Sequence, residues 1–333
     1  MGARIGVGAG ATRTFGFAGG AISCQSEWPM GTRSTGSEQS RSGAADLAVV
    51  VISLRNEPGL VDAVRSLISQ RPRPEMVVVN TGGGNAGATL TAAGIQVRSI
   101  ESPEPLHAGA ARNLGVRETT APFVAFLAAD CRAEPGWVAE RVRRHRAGAD
   151  AVASVITNAS PSSASASAAH LLLYARRMAS TSAANRLRYG VSYARPTLER
   201  LGPFREDLRQ GEDSELNRRL EATIEWAPGV RTAHRNPLGP WQLVRDQYAR
   251  GCRSRLYPHL SVPAVLRIAL FNRPLDALRQ ALRADEYRER RRILRVAPLL
   301  APASLAYTLG LLRARQLEDI RPGAALALAR TQR

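Results

Sequence analysis

Four apolar runs of strand length follow one another in the first half of the chain, with a helical segment or a turn-rich loop between them. That alternation constrains the fold more than any other feature. The runs are LAVVVISL (47–54), EMVVVN (75–80), IQVRSI (95–100) and FVAFLA (123–128). Between the first two, NEPGLVDAVRSLISQ places Leu60, Val61, Val64, Leu67 and Ile68 at helical spacing, with Pro58 suited to a first turn. TGGGNAG (81–87) reads as a loop, and HAGAARNLGVRET (107–119) as a helix before the fourth run. Strands joined through helices by short loops predict an α/β chain with a doubly wound, mostly parallel sheet. Ligands of such sheets bind beyond the carboxyl ends of the strands. Asp130 stands at that end of the fourth run, followed by Cys-Arg-Ala-Glu-Pro-Gly, which reads as a turn. Its position favours a working acid; a turn carboxylate is the plain alternative.

Beyond this core, GWVAERVRRHRAG (136–148) predicts a helix and DAVASVITN (150–158) a strand. ASPSSASASAA (159–169) is of low complexity and predicts a loose surface loop. Residues 170–188 predict a basic helix. GEDSELNRRL (211–220) opens a further helix with carboxylates in its first turn, and TIEWAPGVRTAHR (223–235) predicts a strand, a turn and a strand. From Trp241 the pattern is helical. The organisation expected is a disordered segment over 1–45, a domain over 46–240 and a helical appendage over 241–333. Residues 1–45 are rich in Gly, Ala, Ser and Thr without periodicity. The apolar stretch there is interrupted by Arg13 and makes a weak signal peptide, and Met30 is an alternative start.

Residues 293–312, ILRVAPLLAPASLAYTLGLL, contain one charge, Arg295. The run has the length needed to span a bilayer, roughly 20 residues. Arg288 and Arg290–Arg292 precede it, and Arg313 and Arg315 follow. Pro298 and Pro302 weaken such a helix in water, and a helix pair packed on the main domain is the alternative to membrane contact. The chain is strongly basic, with a formal net charge of +18 over 333 residues, and every basic residue is arginine. That arginine excess reads as coding bias before it reads as a partner. Without any zinc-finger, RNP-like or basic-zipper pattern, no nucleic-acid partner is expected. Cys24, Cys131 and Cys252 are too far apart and too few for a disulfide framework, which fits a reducing compartment.

The order of VVVISLRNEPGLVDAVRSLISQ, EMVVVN, HAGAARNLGVRETTAPFVAFLAADCRAEPGWV, LERLGPFREDLRQGEDSELNRRL and APGVRTAHRNP resembles the family 2 glycosyltransferases, which have the GT-A fold. The resemblance runs from about Val49 to Gly251. It implies a transferase that moves a sugar from a nucleotide-sugar donor to an acceptor, either a saccharide or a lipid-linked one, with a divalent cation (Mn or Mg) at the donor diphosphate. It implies that Asp130 meets the metal and that His234 supplies a second ligand. It also implies that Asp213 is the base toward the acceptor hydroxyl, with Glu212 beside it. Glu57, Asn80, Thr81, Arg112 and Asn113 fall at positions that contact the donor. Two departures stand out. Asn80 and Thr81 replace the family's usual paired aspartates, and Ala128-Ala129-Asp130 replaces Asp-x-Asp.

The plain alternatives are a structural imidazole for His234, a helix cap for Asp213 and a surface arginine for Arg112. One identifiable base implies inversion at the anomeric carbon. The expected location is cytoplasmic, peripheral to or anchored at the inner face of the cell membrane, with a membrane surface as a further partner. Two other functions compete. A non-catalytic GT-A relative would explain the missing acids. A dinucleotide-binding oxidoreductase would use Gly82, Gly84 and Gly87 with Glu101, although ATLTAAG is short for the crossover helix such a motif opens.

Overall fold

The first run forms strand β1 (Leu47–Leu54), in which Leu47 to Val51 are buried on both faces, as expected of the centre of a parallel sheet. Burying a Val or Leu side chain contributes roughly 1.5–3 kcal/mol, so this strand alone anchors the core. The computed structural model of the chain describes residues 45–181, 190–220, 224–254, 261–284 and 290–330, all within one unit, Glu38–Arg333. The segment expected to be disordered therefore lies outside the described residues, apart from its last position, as does the 182–188 part of the expected basic helix.

After β1 the chain runs through α1 (Leu60–Ile68), β2 (Glu75–Thr81), α2 (Ala86–Ala92), β3 (Arg98–Ser102), α3 (Ala108–Arg117) and β4 (Phe123–Ala128). Then come β5 (Cys131–Ala133), α4 (Trp137–Arg146), β6 (Ala151–Asn158), α5 (Ala164–Tyr174), β7 (Ser192–Ala194), α6 (Arg195–Leu201), α7 (Glu212–Arg219) and β8 (Ile224–His234). The eight strands form one sheet in the order β3-β2-β1-β4-β7-β6-β8-β5. β1 pairs in parallel with both β2 and β4, β2 with β3, and β6 with β8. β7 runs antiparallel to β4 and β6. Strand order therefore reverses between β1 and β4, and the crevice beyond their carboxyl ends is where such sheets bind ligands.

Three local expectations are corrected. Cys131–Ala133 is a strand, antiparallel to the end of β8, rather than a turn. Nothing in a three-residue CRA run signals a strand; the partner strand, a hundred residues later, makes it one. The low-complexity segment is helical from Ala164, because Ser163 accepts a hydrogen bond from Ala166 N (3.1 Å) and alanine is the best helix former. TIEWAPGVRTAHR is a single strand from Ile224 to His234 in which Pro228, Gly229 and Val230 bulge out of register with β6.

The appendage consists of α8 (Pro240–Arg253), α9 (Val262–Arg267), α10 (Arg273–Arg283) and α11 (Arg290–Arg330), with a wider helical turn, Ile268–Asn272, joining α9 to α10. Pro298 and Pro302 do not break α11. Val296, Leu300, Ala303, Tyr307 and Leu311 are buried along one of its faces, and that burial offsets the lost backbone bonds. α11 crosses α8 with almost no space between the backbones. A Cβ added at Gly310 would lie 2.2 Å from Tyr248 O, and one at Gly251 2.1 Å from Tyr307 O. Arg292–Ala314 is long and apolar enough to cross a membrane, while 44% of it is buried inside the protein. Leu294, Leu305 and Leu309 stay exposed on its other side.

Two buried histidines set an acid limit on this fold. His145 stacks on Phe123, bonds Ala149 O (2.7 Å) and Ser192 Oγ (2.8 Å), and is pushed down to about 4 by burial. Burial pushes His170 down to about 3, and neither ring nitrogen has a partner among the described residues. A folded-state pKa below the unfolded value gives stability that is full above pH 6.5 and is lost as pH falls toward 4, because only the unfolded state takes up the proton. His145 alone should cost about 2 kcal/mol by pH 4.5. Urea midpoints measured between pH 7 and pH 4.5 should fall, and His145→Gln should flatten that fall.

Candidate active site at the carboxyl edge of the sheet

β4 hands Asp130 to the crevice. Ala129 N donates to Ile52 O (2.9 Å), which holds the end of β4 against β1, and Asp130 is the next residue. Alanine at 129 fits the spot. Its carbonyl lies so near α1 that a Cβ at Gly59 would stand 2.3 Å from Ala129 O. β5 then pairs with β8 so that Cys131 and His234 are direct cross-strand partners, while Arg235 N donates to Asp130 O (2.9 Å).

The side chains meet as the backbone directs. Asp130 Oδ2 lies 3.3 Å from His234 Nε2, and the Cys131 thiol donates to Asp130 Oδ1 (3.4 Å). One ligand atom from each of these three residues lies within 4.8 Å of the others. Backbone groups fix the histidine tautomer. Ser160 N donates to Asn158 Oδ1 (3.1 Å), so that oxygen also accepts from Asn236 Nδ2 (3.1 Å). Asn236 Oδ1 is thereby left to accept from His234 Nδ1 (3.0 Å), and the Nε2 lone pair faces the carboxylate. Two acceptors 3.3 Å apart need a positive charge between them, a proton or a metal ion. Burial opposes the charge on Asp130; the hydrogen bond and charge of His234, the Cys131 thiol and Arg250 outweigh it and hold the carboxyl below its usual range. Tyr174 lies against the His234 ring with centroids 4.7 Å apart. Asp130 and His234, with Cys131 in reach, are thus the groups here that fit a divalent cation.

The opposite wall comes from α3 and α7. Arg112 is ion-paired with Glu212, both largely buried, and its guanidinium lies 5.6 Å from the Phe126 ring centroid and 5.3 Å from that of Phe204. Arg112 is therefore no surface arginine. The amino-terminal cap of α7 is Gly211, so Asp213 sits inside the first turn and does not cap the helix; its Oδ1 accepts from Ser214 N (2.7 Å). A cavity of about 250 Å³ joins the two walls, lined among others by Asp130, His234, Arg250, Arg112 and Asp213. Two further lining groups, Tyr174 and Arg177, were not singled out by sequence reasoning. Arg250 was missed too: one arginine on a helix of an arginine-rich chain carries no local signal.

The remaining residues are placed differently. Asn113 is buried and spends its amide on the backbone, donating to Phe204 O (2.9 Å) and accepting from Phe204 N (2.9 Å). Asn80 is buried at the end of β2, accepts from Asn56 N (2.9 Å) and donates to Gly83 O (3.0 Å) and Glu101 Oε2 (2.8 Å). Thr81 is buried, and its carbonyl accepts from Arg55 N (2.8 Å). Glu57 N donates to Ser53 Oγ (3.2 Å), and its carboxyl is raised by burial and by the charge of Asp130. None of these four, nor Glu212, lines the cavity. Glu101 Oε1 accepts from Gly87 N (3.1 Å), so the glycine-rich loop is closed by the protein's own acid.

Residues 48–197 match the model of the family described as glycosyl transferase family 2. Over just under half of its length the chain is therefore similar to the family 2 glycosyltransferases. Its sheet and flanking helices are those of a GT-A type fold with a helical appendage. The matched segment includes Asp130 and Arg112 and ends before Glu212, Asp213 and His234. No curated protein matches the sequence. Among solved structures, S. aureus TarS in complex with UDP-GlcNAc is 13% identical, with a TM-score of 0.47 over 77% of this chain and 90% of that one. The mannosyltransferase PcManGT from Pyrobaculum calidifontis, in complex with GDP-Man and Mn2+, is 18% identical, with a TM-score of 0.46 over 86% of this chain and 81% of that one.

Proposed function

We propose that the chain is an inverting glycosyltransferase that moves a sugar from a nucleotide-sugar donor to an acceptor hydroxyl in one in-line displacement. One observation carries the reading: a single cavity at the carboxyl edge of the sheet holds Asp130 against His234 on one side and Asp213 on the other. Asp130 and His234 would hold a divalent cation, whose charge would offset the charge developing on the leaving diphosphate. Arg112, fixed by Glu212 and two aromatic rings, and Arg250 add positive charge on the same walls. Asp213 takes the proton of the acceptor hydroxyl. Glu212 keeps Arg112 in place. Glu57, through its coupling to Asp130, and Asn80 and Thr81, through the loop they order, shape the nucleoside end from outside the cavity.

The apolar outer side of α11, with Arg292, Arg295 and Arg313 along it, brings the domain to the cytoplasmic face of a membrane. A non-catalytic nucleotide-sugar-binding relative is the second reading. It is favoured by Asn80, whose amide is used up inside the protein where the family's acid would meet the donor. Thermal shift against a panel of sugar nucleotides, with and without Mn2+, tests both. At least one donor should raise the melting temperature more with Mn2+ than without it. Donor binding without any hydrolysis or transfer favours the second reading, and no shift with any nucleotide rejects both.

A further inference from the structure

We infer that Cys131 is a third protein ligand of the cation site, and that its sulfur makes the site select a thiophilic ion over Mg2+. This rests on the metal-site reading of Asp130 and His234. Cys131 and His234 are paired directly across β5 and β8, so both side chains leave the sheet on the same face. Asp130 faces both partners, Oδ2 at 3.3 Å from His234 Nε2 and Oδ1 at 3.4 Å from Cys131 Sγ, and one ligand atom from each residue lies within 4.8 Å of the others, so a small inward shift would close all three on one tetrahedral ion. Ligands bound at 2.0–2.3 Å in a tetrahedron stand about 3.3–3.8 Å apart. An octahedral Mg2+ at 2.0–2.1 Å would draw neighbouring ligands to about 2.9 Å.

The donor set points the same way. Mg2+ keeps to oxygen ligands, whereas carboxylate, imidazole and thiolate together suit Zn2+, Co2+ and their neighbours. The missing first acid of Asp-x-Asp fits this picture. Ala128 offers no side-chain oxygen, and Cys131, on the other side of Asp130, supplies the additional donor. Binding replaces the thiol proton, which leaves to solvent, and three protein ligands leave a fourth position for a phosphate oxygen. Near Asp130, a cysteine packed partly into the core thus does more than fill space.

Co2+ is the probe. Full-length protein carrying Cys24→Ser and Cys252→Ser, which leaves Cys131 as its one thiol, should show a thiolate-to-cobalt charge-transfer band in the near ultraviolet. Mg2+ in large excess should not displace the ion. Adding Cys131→Ser should remove the band and weaken Co2+ binding by calorimetry at least ~10-fold, while Mg2+ binding stays as it was. Co2+ that binds with a normal heat but no band overturns the inference and leaves the Asp130–His234 site standing. No binding of any divalent ion overturns both. Should Cys131→Ser fail to fold, the band in the parent protein decides alone.

Discussion

Asp130→Ala is expected to abolish the cation-dependent part of donor binding while leaving the cation-free part intact or stronger. The carboxylate is kept ionised against its burial by His234, Cys131 and Arg250. A divalent cation therefore finds its charge already in place. Loss of an outer partner of a metal site costs 10–100-fold in affinity, so loss of a ligand should cost at least about 100-fold. Without the carboxylate, Arg112, Arg177 and Arg250 still line the cavity with positive charge, and a bare diphosphate should bind there at least as well as before. Calorimetry with UDP and GDP sugars, in Mn2+ and in chelator, measures both parts. An Mn2+ enhancement that survives in Asp130→Ala would place the metal elsewhere or remove it from the mechanism. Asp130→Asn, which keeps the shape and the bonds to its neighbours, separates loss of charge from local collapse.

The fold was legible because its strongest elements are local. LAVVVISL and FVAFLA are long apolar runs buried on two faces, and the 3.6-residue spacing of Leu60, Val64 and Leu67 is the buried face of α1. What sequence reasoning lost was set by partners far along the chain. CRA becomes β5 only because it pairs with Thr232, Ala233 and His234. The serine- and alanine-rich stretch looks like a linker by composition, yet its alanines form a helix once Ser163 caps it and α11 covers it. α11 stays whole through Pro298 and Pro302 because α5 and α8 hold it, and no window of its own sequence contains that information.

The site was legible residue by residue where a motif carried it, and poorly legible as an assembly. Asp130, His234, Arg112 and Asp213 converge on one cavity. Arg250 and Tyr174 reach that cavity from helices whose sequences show only basic and apolar periodicity. Asn80 and Asn113 look like polar groups awaiting a ligand; buried, they satisfy backbone groups of their neighbours instead, which is the usual fate of a buried amide. Glu212 resembled part of an acidic pair, and the fold turns it toward Arg112.

Asp213→Asn carries the mechanism, and it should reduce transfer by at least ~100-fold with donor affinity unchanged and the protein folded. A helix cap would have been a sufficient reason for an acid at this position, but Gly211 holds the cap and Asp213 lies within the first turn. Its stabilising role is then limited to the helix dipole, about 0.3–1 kcal/mol, which Asn gives up without unfolding the domain. Asn also retains the oxygen that accepts from Ser214 N (2.7 Å). What it cannot do is take a proton from a hydroxyl. The neighbouring acid provides the contrast. Glu212→Gln leaves the largely buried Arg112 without its counter-charge, and breaking such a pair costs up to about 3–5 kcal/mol, so it should lower the melting temperature first and turnover with it. A drop in transfer without a drop in stability is the signature of the base, and only Asp213→Asn should show it. Near-normal transfer by Asp213→Asn, with the donor bound as tightly as before, would strip the residue of its catalytic role and send the search for the base to another wall of the same cavity.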